Sequence, residues 1–314
     1  MSSKPPTGPL RCAVLGLTLW ASSTRPAPAQ TIQGEILGNV TDQSGAVVPG
    51  VEVTVTSLET GFKRSTTSDD KGTYSAPHLE PGSYRVAAEL TGFKSFVRER
   101  VVLESNKAVR IDIVLQVGEP SEKIVVQDLT PVIETETAKI SDLVDERSLR
   151  HVVMGGRGAY NWILETAGAH YGVYGYTLNG SRSGANGVSM DGANVGNPVT
   201  GTEYQPMRPD QEMVREIRVD SVNNSAEFAH AGTITQTTLN GTNALHGQVT
   251  YNLINGALSA RNFFSPTRPR GYPIHNMFIT AGGPVVLPGL YDGHNRTFFF
   301  FHIDGQERNA DVPR

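Results

Sequence analysis

Short runs of alternating apolar and polar residues, each closed by a turn, recur along residues 33–117. That rhythm limits the fold more than any other feature of the chain. Val51, Val53 and Val55 alternate with Glu52, Thr54 and Thr56; Val109, Ile111, Ile113 and Leu115 alternate with Arg110, Asp112 and Val114. A period of two places each apolar set on one face of a strand. Between the runs stand Asp42-Gln43-Ser44-Gly45, Glu59-Thr60-Gly61, Asp69-Asp70-Lys71-Gly72 and Glu80-Pro81-Gly82. Each combines residues that reverse a chain. The pattern predicts seven strands, over 35–41, 51–56, 62–68, 73–78, 83–88, 93–103 and 108–115, and so a small β-sandwich.

The rest of the composition agrees with a β-rich, exported chain. There are 33 Gly and 19 Pro, only 18% of residues are charged, and the net charge of −4 offers no basic field to nucleic acid. Lys4 and Arg11 precede a mostly apolar run at 12–21, and Ala27-Pro28-Ala29 follows. This is the layout of a signal peptide, residues 1–29, cleaved after Ala29. The run is too short for a transmembrane helix, which needs about 20 residues. Removal of Lys4, Arg11 and Arg25 takes the charge from −4 to −7 and removes Cys12, the one cysteine. The mature chain then has no thiol for a disulfide or a thiolate metal site. No later stretch is long and apolar enough for a spanning helix, but a barrel crosses a membrane with strands.

The succession Gly38-Asn39-Val40-Thr41-Asp42, Val48-Pro49-Gly50-Val51, Thr67 to Tyr74, Leu79-Glu80-Pro81-Gly82-Ser83-Tyr84 and Leu90-Thr91-Gly92-Phe93 resembles the carboxypeptidase regulatory-like domain. The resemblance implies a transthyretin-like fold, grouped also with carbohydrate-binding-like sandwiches. It does not imply peptidase chemistry here, because no histidine stands in a His-x-x-Glu or His-Glu-x-x-His pattern. We nominate no catalytic residue, cofactor site or metal site. Carbohydrate is a possible ligand of such a sandwich, although Tyr74 and Tyr84 read better as core residues. Asp69 and Asp70 read as a turn, since the oxygen-ligand series of a calcium loop is absent.

Residues 118–140 read as a linker. Gly118-Glu119-Pro120 ends the last strand, and Glu122, Lys123, Ile124, Val125 and Val126 form a short extended run. The five resemble a TonB box, which implies a TonB-type periplasmic energy transducer as partner. An exposed strand can pair with a partner's sheet through its main chain. The same residues read equally well as one more strand of a domain.

Residues 141–240 mix short elements with Gly-rich loops. We expect a strand at 142–144, one or two helical turns at 160–166, a helix start at 210–214 with Asp210 as N-cap, a strand at 217–219, a turn at 225–228 and an alternating strand at 233–239. No P-loop occurs, Asn161 breaks the dinucleotide pattern that Gly156-Arg157-Gly158 begins, and Gly180 to Gly184 lacks Gly-x-Ser-x-Gly. Leu178-Asn179-Gly180-Ser181-Arg182, Met190-Asp191-Gly192, Pro209-Asp210, Glu216-Ile217-Arg218-Val219, Ser225-Ala226-Glu227-Phe228 and Leu239-Asn240-Gly241-Thr242-Asn243 resemble the plug of TonB-dependent receptors. With the preceding sandwich they point to the Oar-like branch. Three places depart from the family pattern: Val153-Met154-Gly155-Gly156-Arg157, Thr233-Ile234-Thr235-Gln236, and Leu239-Asn240 where Lys-Ser is usual.

From 246 to 253 His, Gln, Thr and Asn alternate with Gly, Val, Tyr and Leu. A transmembrane barrel strand needs this alternation, and a half-buried soluble strand shares it. Residues 277–286 and 295–301 resemble the next barrel strands of the same family. Residues 241–314, 74 in all, hold about three spanning strands of roughly 9–11 residues, whereas a closed barrel needs at least about 8. The expectation is a mainly β chain: a seven-stranded transthyretin-like sandwich, an α+β plug, then the first strands of an incomplete barrel. Function follows from the resemblance as the N-terminal part of an outer-membrane importer, embedded in outer-membrane lipid and serving an unidentified extracellular substrate. As a truncated form it should be inactive in transport. The rival reading is an exported soluble carbohydrate-binding or adhesion module.

Overall fold

The computed structural model describes residues 32–119, 123–126, 140–151, 158–172, 175–182, 184–197, 209–222, 230–258, 260–261, 263–265 and 273–308. The expected leader with its cleavage site at Ala29, the departure at 153–157, and the turn at 225–228 lie outside the described residues. The fold is mainly β, as the sequence implied.

The first body is a sandwich of two sheets. In one, β1 (Gly34–Asp42) pairs antiparallel with β4 (Thr73–Leu79) and parallel with β7 (Ala108–Arg110) and β8 (Ile113–Leu115). The other runs in the order β3 (Lys63–Thr67), β2 (Glu52–Ser57), β5 (Gly82–Glu89), β6 (Ser95–Leu103), β9 (Lys123–Val126). Alternation works as read: Val51, Val53, Val55, Tyr74, Tyr84 and Val86 all point into one core with Ile36, Val40 and Ile111. The turns are held as their sequences suggest. Asp42 Oδ1 accepts the amides of Ser44 and Ala46, and Asp69 Oδ1 accepts those of Lys71 and Thr73. Asp69 Oδ1 is thereby committed to its own turn.

One expected strand is two. Residues 108–115 keep a single register along β1 but break at Ile111 and Asp112. Ile111 is fully buried; its amide donates to Leu37, and its carbonyl accepts the Tyr74 hydroxyl at 2.7 Å. Asp112 accepts the Asn39 amide at 2.9 Å. This detour brings the Ile111 carbonyl against Gly38, where a Cβ would lie 1.9 Å from it. The sandwich therefore has eight strands of its own rather than seven, and β9 makes a ninth.

The second body centres on a five-stranded sheet in the order β10 (Ile140–Asp145), β15 (Val214–Val222), β16 (Gly232–Thr238), β13 (Asn186–Met190), β14 (Ala193–Asn194). A hairpin of β11 (Ala169–Gly172) and β12 (Gly175–Leu178) lies beside it. Helix α1 (Glu146–His151) starts where Asp145 accepts the Ser148 amide, and the Ser148 hydroxyl first and its amide second hold the Asp145 carboxyl below its usual range. Trp162 and Ile163, on a 3-10 helix at Ala159–Glu165, pack into this body's core with Leu149, Ile217 and Ile234. The alternation expected along 233–239 does not produce one wet face. β16 is central, and Thr233, Thr235, Gln236 and Thr237 are buried.

The third body is an antiparallel sheet in the order β17 (His246–Ile254), β18 (Ile274–Pro284), β21 (Phe298–Arg308), with a small hairpin of β19 (Val286–Leu287) and β20 (Tyr291–Asp292) in the turn between β18 and β21. The last strand begins at Phe298, not Asn295. Asn295 adopts a φ of 60° in the turn, where its amide donates to Asn243. At 9, 11 and 11 residues the three long strands have the length that crosses a bilayer at a tilt. Among the described residues no helix is long and apolar enough to cross one.

Candidate functional site

Three features of this architecture can act on something outside the chain: a strand edge, a buried seam between the bodies, and a two-faced wall.

The edge belongs to β9. Lys123, Ile124, Val125 and Val126 lie parallel to β6, opposite Ser95, Phe96, Val97 and Arg98. Glu122, the fifth residue of the run read from sequence, lies outside the described residues. β9 ends its sheet, so its outer main-chain groups meet no strand among the described residues. A four-residue parallel pairing at a sheet edge is a weak attachment and an open template for another strand.

The seam joins the sandwich to the second body. Ser105, in the turn after β6, donates its amide at 2.8 Å and its hydroxyl to the Glu216 carboxylate of β15. Burial pushes the Glu216 carboxyl up, and the two Ser105 donors only partly oppose that. Beside it Arg218, 1% exposed, donates to Asp220 at 2.8 Å, to Ser141 at 3.0 Å and to Glu104 of the sandwich at 3.4 Å. Arg215 donates to Glu59 at 2.8 Å and to the Pro81 carbonyl at 3.1 Å. Charges this deep hold their partners in register, because separating them would strand an ion in a low-dielectric interior. Next to this seam a cleft of about 350 Å³ opens, lined among others by Glu59, Tyr84, Arg215, Asn240, Asn295 and Phe298. The Tyr84 ring is 3% exposed, with its hydroxyl on the Glu80 carbonyl, and Tyr74 is 1% exposed. Neither ring is available as a flat platform for a sugar.

The wall is the sheet β17–β18–β21. Its registered rows separate cleanly. Val249, Ile279 and Ile303 form one row and Gly247, Ala281 and Phe301 another; Val249, Ile303 and Phe301 stand exposed on the outer face and Ile279, on the central strand, is half-buried. Gln248, Thr280 and His302, then Thr250, Phe278 and Asp304, then Asn252, Asn276 and Gln306, face the other way. There Asn276, Phe278 and Thr280 are buried, and the second body approaches through its short 3-10 helix, Gln211–Met213. Apolar outside and polar inside is the division of a barrel wall set between lipid and lumen.

Comparisons with known proteins fall on the same segments. The carboxypeptidase regulatory-like domain matches residues 35–116, and an outer membrane beta barrel domain matches residues 237–313. Across 276 residues, 82% of this chain, the sequence is 29% identical to the TonB-dependent transporter Oar of Myxococcus xanthus. The chain is similar to the Oar-like TonB-dependent receptors over most of its length. The chain spans 26% of the length of that relative. Among solved structures, the siderophore receptor PirA of Acinetobacter baumannii matches at 13% identity and a TM-score of 0.41, covering 55% of this chain and 25% of that one. A streptococcal ancillary pilin matches at 19% identity and a TM-score of 0.24, covering 28% of this chain and 33% of that one. The matched barrel domain places the chain in the outer membrane. The relative matched over most of the chain is a transporter.

Sequence reasoning missed the seam and the inward face of β21. Asp210 was expected to cap a helix; it holds the N-cap position of the 3-10 helix at Gln211–Met213, yet its side chain makes no capping bond. His302 and Asp304 lie past the expected end of the last strand, and the polar-apolar alternation that continues through Ile303 would have found them.

Proposed function

We propose that this chain is the N-terminal part of an energy-coupled outer-membrane importer for an unidentified substrate. In this reading residues 1–29 are a signal peptide, 33–117 the regulatory sandwich, 118–140 a linker carrying the partner segment, 141–240 the plug, and 241–314 the start of the barrel. The observation that carries the reading is the wall. Strands of spanning length expose an apolar row outward and hold a polar row against the second body, as a plugged barrel requires. The three registered strands among the described residues do not by themselves enclose a pore. Substrate would bind on the extracellular side, above the plug. The driving force would come from the inner-membrane proton gradient through a TonB-type protein, with no bond-making chemistry in this chain.

The partner segment in this proposal is Glu122, Lys123, Ile124, Val125 and Val126. Its support is the position of β9 as an edge strand with one side open, suited to strand addition. The seam then gives the pull a route, from β9 through the sandwich to Glu216 and Arg218 on the plug sheet. Capture of a TonB periplasmic domain on detergent-solubilised receptor tests this. Wild-type receptor should retain the domain, and Val125→Pro, which removes an amide from the strand, should not. Equal capture by the two would remove the box assignment and leave β9 a structural strand.

A further inference from the structure

His302 stands in an unusual position. Its side chain is 11% exposed, it points inward from β21, and both ring nitrogens are buried without a hydrogen-bond partner. A neutral imidazole carries one donor and one acceptor, and buried ring nitrogens are ordinarily satisfied. Two carboxylates face it. Asp210, 13% exposed, comes from the second body, and its Oδ2 lies 3.5 Å from His302 Nε2. Asp304 is two residues along β21 and therefore on the same face of the wall. One ligand atom from each of the three lies within 4.8 Å of the other two.

We infer that Asp210, His302 and Asp304 form a site for a divalent transition cation of the zinc class that staples the plug to the barrel wall. The spacing supports this. Ligands about 2.0–2.1 Å from a tetrahedral zinc lie about 3.4 Å from each other, close to the separation of Asp210 and His302. Asp304 is the exposed member of the three. One imidazole and two carboxylates suit zinc and its neighbours better than calcium or magnesium, which prefer all-oxygen shells. Three protein ligands leave a fourth position for water. A cation here would also answer the two anomalies together, supplying the imidazole with a partner and explaining why Asp210 does not cap its helix. The inference rests on β21 being part of the wall and not on transport: a receptor that binds the cation and imports nothing would satisfy it.

The test is calorimetric titration of chelator-stripped receptor, extracted from outer membranes in detergent, with zinc chloride. Wild type should bind one equivalent that calcium and magnesium at equal concentration do not displace, and zinc should raise its melting temperature. His302→Ala should weaken that equivalent at least tenfold and abolish the thermal shift, while Asp210→Asn and Asp304→Asn should each weaken it. His302→Gln serves as a second variant should His302→Ala lose the heat-modifiable mobility of a folded barrel. Absence of the equivalent in wild type, or its persistence in folded His302 variants, would overturn the site and leave an imidazole–carboxylate pair only.

Discussion

Arg218→Ala measures how much the buried seam contributes. The guanidinium is 1% exposed and its nearest partner, Asp220, 2%, at 2.8 Å. Removing it leaves the Asp220 carboxylate buried without its counter-charge and deprives Glu104 and Ser141 of a donor. Breaking a pair of this kind from one side costs about 3–5 kcal/mol. For a segment of this size that lowers the unfolding midpoint by roughly 12 °C or more. The control is Arg85→Ala. Arg85 sits 2.7 Å from Glu99, as close a pair, but its side chain is 48% exposed. Water already solvates that pair, so its loss should cost only about 0.2–1 kcal/mol. The two cases share a distance and differ in burial. The assay is built into the chain: the sequence has two tryptophans, Trp20 in the proposed leader and Trp162 in the core of the second body, so the fluorescence of a chain that starts at Gln30 reports that body alone. Urea titrations followed by Trp162 should show a large loss for Arg218→Ala, and titrations followed by the circular dichroism of the whole chain should show almost none for Arg85→Ala. The double variant Arg218→Met, Asp220→Leu should recover most of the loss, because it removes both buried charges together. If Arg218→Ala and Arg85→Ala give the same midpoint, burial does not set the strength of the seam and the argument fails.

Glu216→Gln should stabilise the same body at neutral pH. The folded-state pKa is raised by burial, so the contribution of Glu216 is fully present below its ordinary value of 4.5 and is lost as pH rises through the folded value. A glutamine still accepts from Ser105 and does not ionise; the Trp162 midpoints of variant and wild type should therefore agree more closely at pH 4 than at pH 7, with the variant ahead at pH 7. Gly38→Ala should destabilise the sandwich by about 1–3 kcal/mol, because its Cβ would press on the Ile111 carbonyl. Faster hydrogen exchange of the β1 amides would register it, and unchanged exchange would mean the detour at Ile111 relaxes freely. Val249→Arg, on the outer row of the wall, should cost about 2–4 kcal/mol if that row meets the bilayer midplane. The amount of heat-modifiable receptor in outer membranes measures this, and normal assembly would argue against a lipid-facing row.

Local chemistry carries most of the fold. Val53 and Val55 need only their period of two to find the core, and Asp42 and Asp69 need only the amides two and four residues ahead to close their turns. The outward row of Val249, Tyr251 and Leu253 is legible for the same reason: alternation within one strand already divides its faces. Where a strand's neighbours decide its surroundings, the pattern falls short. β16 alternates in sequence yet is buried on both faces, because β15 and β13 flank it and other layers cover it.

What tertiary structure alone decided is which distant groups meet. Ser105 and Glu216 stand 111 residues apart, and Glu104 and Arg218 stand 114 apart. Glu216 and Arg218 stand in a run that resembles the plug, but nothing in either neighbourhood marks Ser105 and Glu104 as their partners. The run at 122–126 is legible as an extended segment, but its place beside β6 depends on a parallel pairing that no local turn can set. His302 and Asp210 likewise become a pair only when the wall closes against the second body. Periodicity and turn residues act over a few positions along the chain. A buried ion pair or a ligand cluster depends on how separate bodies dock, and its energy comes from the water that docking excludes.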